Sequence, residues 1–211
     1  MRIDKYIKIL NNTELGKGTT HEYYVLVTGG YNVDNVFDSF INGSSVFVDK
    51  IDNTNIDNIR KQTGRETRIV GFGPYYRKYD LNAGDLLVLE RIKNTDQSIS
   101  FYLSNIKKTN NLVLQKVGNK GYEILTQNLA VTYPLIVSSC LLNDVNQNIE
   151  IRFKQSVRKR SDSPEPTDFY DIVIDGSPYN IGDKEMCELT IEQDRKIFKK
   201  LKTWNKYTVK W

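Results

Sequence analysis

The chain has 211 residues, of which 39% are hydrophobic and 27% are charged, and its formal net charge is +4. No apolar run approaches the roughly 20 residues that a membrane-spanning helix needs, and the charged Met1–Lys5 segment lacks the apolar core of a secretory signal. Two distant cysteines and a single histidine, His21, argue against a disulfide framework, a zinc site or a histidine-based triad, and they favour a cytoplasmic setting.

Short β-strands are predicted over most of the first two thirds of the chain. Runs rich in β-branched and aromatic residues alternate with turn signals such as Asn42-Gly43. The predicted strands cover residues 22–28, 44–51, 67–72, 85–92, 99–103, 112–117, 122–125 and 131–142. Strands at this spacing are typical of a barrel or a sandwich.

Two helices are also predicted. Residues 33–41 place their apolar side chains on one helical face, and residues 183–204 alternate apolar and charged positions at helical spacing. Thr190 and Gln193 have the spacing of a capping box, which would divide the second segment into two helices. The polar, proline-containing segment 158–166 is predicted to be an exposed loop.

Basic residues concentrate in three segments of an otherwise acidic chain. The net charge is +5 over residues 60–78, +4 over residues 150–160 and +7 over residues 195–211, which leaves −12 on the other 164 residues. Any one of these runs is equally well explained as a solvated face. Three such runs against an acidic background favour a polyanionic partner, and the pattern predicts nucleic-acid binding.

Two other classes of function remain open from the sequence. A small metal-dependent nuclease would draw its Mg²⁺ ligands from Asp171, Asp175 and Asp194, the last of which lies in an Asp-x-Lys tripeptide. The chain contains no Glu-x-Lys tripeptide, and Asp194 falls inside a predicted helix, so we assign no catalytic residue, metal site or cofactor to this chain. The third class is a protein-interaction module whose basic C-terminal tail binds an acidic partner.

Two loops carry side chains that suit DNA recognition. The first, residues 11–21, is polar and contains two glycines, and the second, residues 63–79, has Arg65 and Arg68 on either side of Glu66. Asparagine can read an adenine edge, an arginine fork pairs with guanine or phosphate, and glycine lets the backbone approach closely. The structural alternatives are a plain hairpin loop for residues 11–21 and a charged edge strand for residues 63–79.

Three stretches of the sequence resemble the B-three DNA-binding pseudobarrel, over about residues 8–105 in all. Residues 11–21 are similar to the first loop of its bacterial members, which reads Asn-x-Thr-Gly, small residues and His-Gln. Residues 66–73 are similar to their second-loop strand, and residues 81–91 are similar to a Leu-x-x-Gly-Asp stretch of the plant members. Glu14 and Leu15 interrupt the first motif, and Glu22 stands where glutamine is usual.

The bacterial members in question are the effector and target-recognition domains of EcoRII-type and BfiI-type restriction endonucleases and of some McrB-like restriction subunits. The resemblance implies an open seven- or eight-stranded pseudobarrel with one or two short helices. In this chain the pseudobarrel would cover residues 1–142, and residues 143–211 would form a basic extension with a C-terminal helix.

The resemblance further implies sequence-specific binding of double-stranded DNA by two loop arms in the major groove, as part of a restriction–modification system. Catalysis would then belong to a nuclease or NTPase domain or subunit, and no membrane is involved. The predicted DNA-binding residues are Asn11, Asn12, Thr13, Lys17, Thr19, Thr20, His21 and Glu22 in the first arm and Arg60, Lys61, Arg65, Glu66, Arg68, Tyr75, Tyr76, Arg77 and Lys78 in the second.

Overall fold

The structure is a computed structural model that describes residues 1–17, 21–27, 45–64, 66–158, 165–193 and 195–210. It divides the chain into two compact units, the first made of Met1–Lys107 and Thr203–Trp211 and the second of Lys108–Lys202. The fold is mainly β, as the sequence predicts. The helix predicted over residues 33–41 lies outside the described residues. In the described part of the chain, no helix is long and apolar enough to cross a membrane.

The elements of the described residues are numbered in chain order. The strands are β1 (Arg2–Ile9), β2 (Tyr24–Val27), β3 (Ser45–Asp49), β4 (Asn55–Thr63), β5 (Thr67–Val70), β6 (Leu86–Lys93), β7 (Ile99–Ile106), β8 (Asn111–Val117), β9 (Gly121–Gln127), β10 (Leu135–Leu142), β11 (Val145–Val157), β12 (Thr167–Ile174), β13 (Ser177–Pro178), β14 (Met186–Glu192), β15 (Arg195–Lys200) and β16 (Trp204–Lys210). A short helix, α1, covers Gly73–Lys78, and a 3₁₀ turn covers Gly118–Lys120.

The first unit is built on one sheet of eight strands in the order β16-β1-β6-β7-β3-β4-β5-β2. Neighbouring strands run antiparallel except β3 and β7, which are parallel. Pro74 lies in the first turn of α1, where its missing N–H costs no hydrogen bond. This helix buries the rings of Tyr75 and Tyr76 in the core of the unit.

Charged side chains also lie in the interior of the first unit. The carboxylate of Glu90 on β6 is almost fully buried, and it bonds to the ammonium groups of Lys5 and Lys50. Burial disfavours the charged form of this carboxylate, but the lysine hydrogen bonds outweigh burial and hold the pKa of Glu90 below its usual value. The ion pairs of Glu90 with Lys5 of β1 and with Lys50, which follows β3, contribute to stability while Glu90 is ionised.

The second unit is a closed barrel. Its sheet has the order β11-β10-β15-β14-β8-β9-β12-β13, and an additional pairing of β11 with β12 closes a ring of seven strands. The interior is filled by apolar residues from all sides of the ring, including Leu112, Ile149 and Phe198. Both cysteines, Cys140 and Cys187, are buried in this interior as free thiols.

The predicted C-terminal helix is wrong, because Met186–Glu192, Arg195–Lys200 and Trp204–Lys210 form β14, β15 and β16. Met186 and Leu189 have helical spacing, yet β14 is buried along most of its length between β8 and β15. The intervening Glu188 is fully buried and accepts hydrogen bonds from Lys108 and Asn111. The sequence pattern would place Glu188 on the solvated face of a helix, but its carboxylate is buried and paired with Lys108.

The predicted domain boundary also differs from the compact units. The sequence suggests a division after residue 142, but β10 and β11 on either side of that point pair with each other in the barrel. The strands predicted over residues 112–142 therefore belong with β11–β15, whereas β16 returns to pair with β1. Long-range pairing of this kind leaves no signal in local composition.

Candidate nucleic-acid interface

The centre of the candidate interface is β5, which has β2 on one side and β4 on the other. Ile69 of β5 is fully buried, so the alternation of a strand places its neighbour Arg68 on the opposite, outer face. The residues that pair with Arg68 in register are Gln62 on β4 and Leu26 on β2. Arg68 therefore projects from a platform of three strands, β2, β5 and β4. This agrees with the strand that the sequence predicts over residues 67–72.

Two glutamates and a tyrosine hold the Arg68 guanidinium. Its Nη1 atom donates to Glu22 Oε2 at 2.9 Å, and its Nη2 and Nε atoms donate to Glu66 Oε2 at 3.0 and 3.3 Å. The guanidinium carbon lies 4.3 Å from the centre of the Tyr24 ring, a cation–π contact. The hydrogen bond to Glu66 raises the pKa of Arg68 above its usual value. The side chain is thus oriented before any ligand arrives.

The first loop is anchored by a buried ion pair. Glu14 is nearly inaccessible, and its Oε1 atom lies 3.0 Å from the Nζ atom of Lys8 on β1. The same carboxylate accepts from the backbone N–H groups of Leu26 and Asn11, at 2.9 and 3.2 Å. Glu14 and Leu15, which interrupt the motif of the first loop, are therefore the residues that attach this loop to β1 and β2.

Tyr23 connects the two loops, and sequence reasoning missed it as a site residue. Its ring lies so close to Gly16 and Gly73 that a Cβ atom at either glycine would approach ring atoms to 2.9 or 3.0 Å. Gly16 also has φ = +73°, which favours glycine. The Arg77 guanidinium lies 5.1 Å from the centre of the Tyr23 ring. The contacts of Tyr23 with Gly73 and Arg77 leave no signal in the local sequence, because they join positions about 50 residues apart.

Two adjoining clefts lie beside Tyr23 and Arg77, which line both of them. The larger, of about 580 Å³, lies over the outer face of the platform, and the smaller, of about 300 Å³, also includes Lys17 of the first loop. The polar side chains that line the larger cleft are Glu22, Asn58, Arg60, Gln62 and Arg77. All five are exposed. Arg77 has no carboxylate partner among the described residues.

The structure brings together part of the predicted set and separates the rest. Lys17, Glu22, Arg60 and Arg77 line the two clefts, and the Arg68–Glu22–Glu66 cluster lies on the same platform. His21 is exposed beside them, with its Nδ1 atom 3.3 Å from Gly16 O. Thr19, Thr20 and Arg65 lie outside the described residues.

Tyr75 and Tyr76 are not surface contacts, contrary to the prediction. They are 2% and 3% exposed, and the hydroxyl of Tyr76 donates to Tyr24 O inside the unit. Burial raises the pKa of both hydroxyls. The segment that reads as interleaved aromatic and basic residues is a helix that turns its tyrosines inward and leaves Arg77 outside.

Lys78 is held away from the platform by acidic partners. Its ammonium group bonds to the buried carboxylate of Asp49 at 3.0 Å and to Asp52. Lys61 alternates with Arg60 and Gln62 on β4 and pairs in register with the buried Ile69, so its side chain leaves the strand on the inner face. Neither lysine lines the clefts.

The polar residues at the start of the first loop are mostly engaged in the turn itself. Asn11 Oδ1 accepts from the Glu14 N–H at 3.0 Å, and Asn12 O accepts from the Lys17 N–H at 2.9 Å. Thr13 is exposed at the tip. Asn11 and Asn12 thus shape the turn that presents Lys17.

The carboxylates considered for a nuclease do not converge. Asp171 pairs with Lys154 at 3.1 Å, and Asp175 accepts from the backbone and side chain of Asn148. The third candidate, Asp194, lies outside the described residues. Within the described residues, no group of three or more His, Cys, Asp or Glu side chains is placed to hold a metal ion.

Comparison of the sequence with protein-family models gives no match, and comparison with curated proteins gives none either. The side chains of the platform and the clefts therefore carry the information on function. The most informative of these are Arg68 and Arg77, because the groups that contact both side chains are defined.

Proposed function

We propose that the first unit binds double-stranded DNA in a sequence-specific manner, in the way of a B-three-type target-recognition domain. The observation that carries this proposal is the lining of the larger cleft, where Asn58, Arg60, Gln62, Arg77 and Glu22 converge. Arginine, asparagine, glutamine and glutamate are the side chains that hydrogen-bond to base edges in the major groove.

The strands and the helix that carry these side chains favour recognition of a defined DNA sequence. Arg60 and Arg68 project from neighbouring strands of one sheet, and Arg77 leaves a helix whose tyrosines are fixed in the core. Rigid strands and a buried helix hold donors in a fixed pattern, and a base-edge contact requires this. Lys17, a flexible point charge at the rim, suits a phosphate contact instead.

The charge of the surface is moderate, because Glu22 and Glu66 neutralise part of it. Non-specific binding depends mainly on phosphate neutralisation, so we expect weak binding to random DNA and a clear preference for a cognate site. A restriction–modification setting would supply the rest of the activity, with cleavage on a nuclease or NTPase domain or subunit.

Fluorescence anisotropy with labelled duplexes tests this proposal. Affinity for a duplex pool of random sequence should be weak and should fall between about 50 mM and about 200 mM salt, because each phosphate contact contributes about −0.9 to the slope of log K against log salt. Arg60→Ala and Arg77→Ala should each weaken binding. Lys210→Ala removes an exposed cation of the same unit that lies on β16 and lines neither cleft, and it should leave affinity unchanged.

Two outcomes would contradict the proposal. One is an affinity that does not change with salt, or the absence of binding to any duplex at low salt. The other is an equal effect of Lys210→Ala and of the two cleft variants, which would mean that net charge rather than this surface attracts the DNA.

A further inference from the structure

The hydrogen bonds of Arg68 leave a specific pair of donors unused. A guanidinium carries five N–H groups. Glu66 takes one from Nε and one from Nη2, and Glu22 takes one from Nη1. One N–H on each terminal nitrogen therefore has no acceptor among the described residues. Free N–H groups on both terminal nitrogens allow an arginine to donate to guanine O6 and N7.

Glu22 likewise has a free acceptor next to these donors. Its Oε2 atom receives the Arg68 bond, whereas its Oε1 atom makes no hydrogen bond within the described residues. The side chain of Glu22 is more than half exposed, and that of Arg68 is 30% exposed. A donor pair and an acceptor thus lie side by side on the outer face of the platform.

Resting on the proposed function, we infer that Arg68 and Glu22 together read one G·C base pair in the major groove. In such a pair guanine presents two acceptors, O6 and N7, and cytosine presents the N4 amino donor beside them. Arg68 donates to the guanine while Glu22 Oε1 accepts from the cytosine. An A·T pair in either orientation places the adenine amino donor or the thymine methyl group against this array.

Glu66 and Tyr24 are positioning residues in this arrangement. Glu66 bonds to the Nε side of the guanidinium, and the Tyr24 ring lies against its face, so rotation of the fork is restricted. The carboxylate of Glu66 need not touch DNA. Its removal should therefore weaken discrimination at the pair without changing which pair is preferred.

Selection of bound duplexes from a randomised library, with the full chain, is the first step of the test. The recovered sites should share at least one invariant G·C pair. In Arg68→Ala and Arg68→Lys, preference at this pair should fall by about 5- to 150-fold, which corresponds to the usual 1–3 kcal/mol of a bidentate contact. Thermal unfolding by circular dichroism should show that both variants fold as the wild-type chain does.

Base analogues then assign each half of the contact. In the selected site, 7-deazaguanine removes N7 and 2-pyrimidinone removes the N4 amino group of cytosine. Each analogue should weaken binding of the wild-type chain, but 7-deazaguanine should have little effect on Arg68→Ala. Likewise, 2-pyrimidinone should have little effect on Glu22→Ala, which has no acceptor for the N4 amino group. Glu66→Gln should keep the same preferred pair with smaller discrimination.

The outcomes separate this inference from the proposal that it rests on. If the wild-type chain binds duplex DNA but analogue effects are the same in wild-type and variant chains, the reading of a G·C pair is overturned and DNA binding stands. A selected consensus without a G·C pair has the same meaning. If the wild-type chain binds no duplex at low salt, both are overturned.

Discussion

The buried pair of Lys8 and Glu14 allows a quantitative prediction about the first unit. Replacing Glu14 by glutamine keeps the shape of the side chain but leaves the Lys8 ammonium in the interior without a counter-charge. The remaining partners of that ammonium are Ile9 O at 3.0 Å and the Trp204 ring, whose centre is 5.6 Å away. Neither neutralises a full charge, so the desolvation cost is no longer compensated.

The expected loss in the free energy of unfolding is about 3–5 kcal/mol, the usual result of removing one partner from a buried pair. A domain is stable by about 5–15 kcal/mol, so Glu14→Gln should remove a large share of the stability of the unit. The double variant Lys8→Met with Glu14→Gln has no buried charge and keeps an acceptor for the Leu26 N–H. It should recover most of the loss.

Urea denaturation followed by tryptophan fluorescence measures both effects. Trp204 lies beside Lys8, and a Trp211→Phe background makes Trp204 the sole tryptophan. With slopes of about 1–3 kcal/mol per molar, Glu14→Gln should lower the urea midpoint by at least about 1 M. Asp57→Asn, which removes an exposed carboxylate of the same unit, is the control. A single variant as stable as this control, or a double variant no better than the single one, would refute the reasoning.

Three further predictions concern stability and pH. Gly16→Ala should destabilise the first unit by about 1–2 kcal/mol, because it adds a Cβ at positive φ against the Tyr23 ring; equal urea midpoints for variant and wild type would show that the ring moves away freely. The pKa of Glu90 is lowered in the folded chain, so its contribution is present above the unfolded pKa of about 4.3 and is lost as pH falls. The wild type should therefore lose more stability than Glu90→Gln between about pH 6 and about pH 3, and parallel pH profiles of the two chains would contradict this. In the barrel, Glu188→Gln should cost about 1–3 kcal/mol, because it removes the charged acceptor that Lys108 and Asn111 share; calorimetry should show a lower transition temperature for the second unit, and an unchanged temperature would contradict this.

The strands of the first two thirds of the chain could be predicted because their signals are local. Alternating apolar residues and nearby turn residues predict β5, β6 and β7 at about their observed positions, and they place Arg68 on a strand that leads into a turn. β4 gave no such signal. Its sequence, from Asn55 to Thr63, is polar, and it forms a strand because β3 and β5 supply hydrogen bonds on both sides.

The C-terminal third could not be predicted for a related reason. Met186 and Leu189 fit a helix by spacing, but the distant partners β8 and β15 bury this segment as a strand. Glu188 accepts a hydrogen bond from Lys108, 80 residues away in sequence, so its charge carries no local sign of burial. The spacing of apolar residues alone therefore predicts a helix wrongly where other parts of the protein bury both faces of a strand.

The sequence by itself determined the mainly β class, the clustering of basic residues and the strand that carries Arg68. Only the tertiary structure decided that Tyr75 and Tyr76 are core residues, that Lys78 is held by Asp49, and that Tyr23 links the two loops. The physical reason is that amino-acid composition and the spacing of apolar residues depend only on residues that are close together along the chain. Burial, ion pairing and the lining of a cleft depend on contacts between segments that folding brings together.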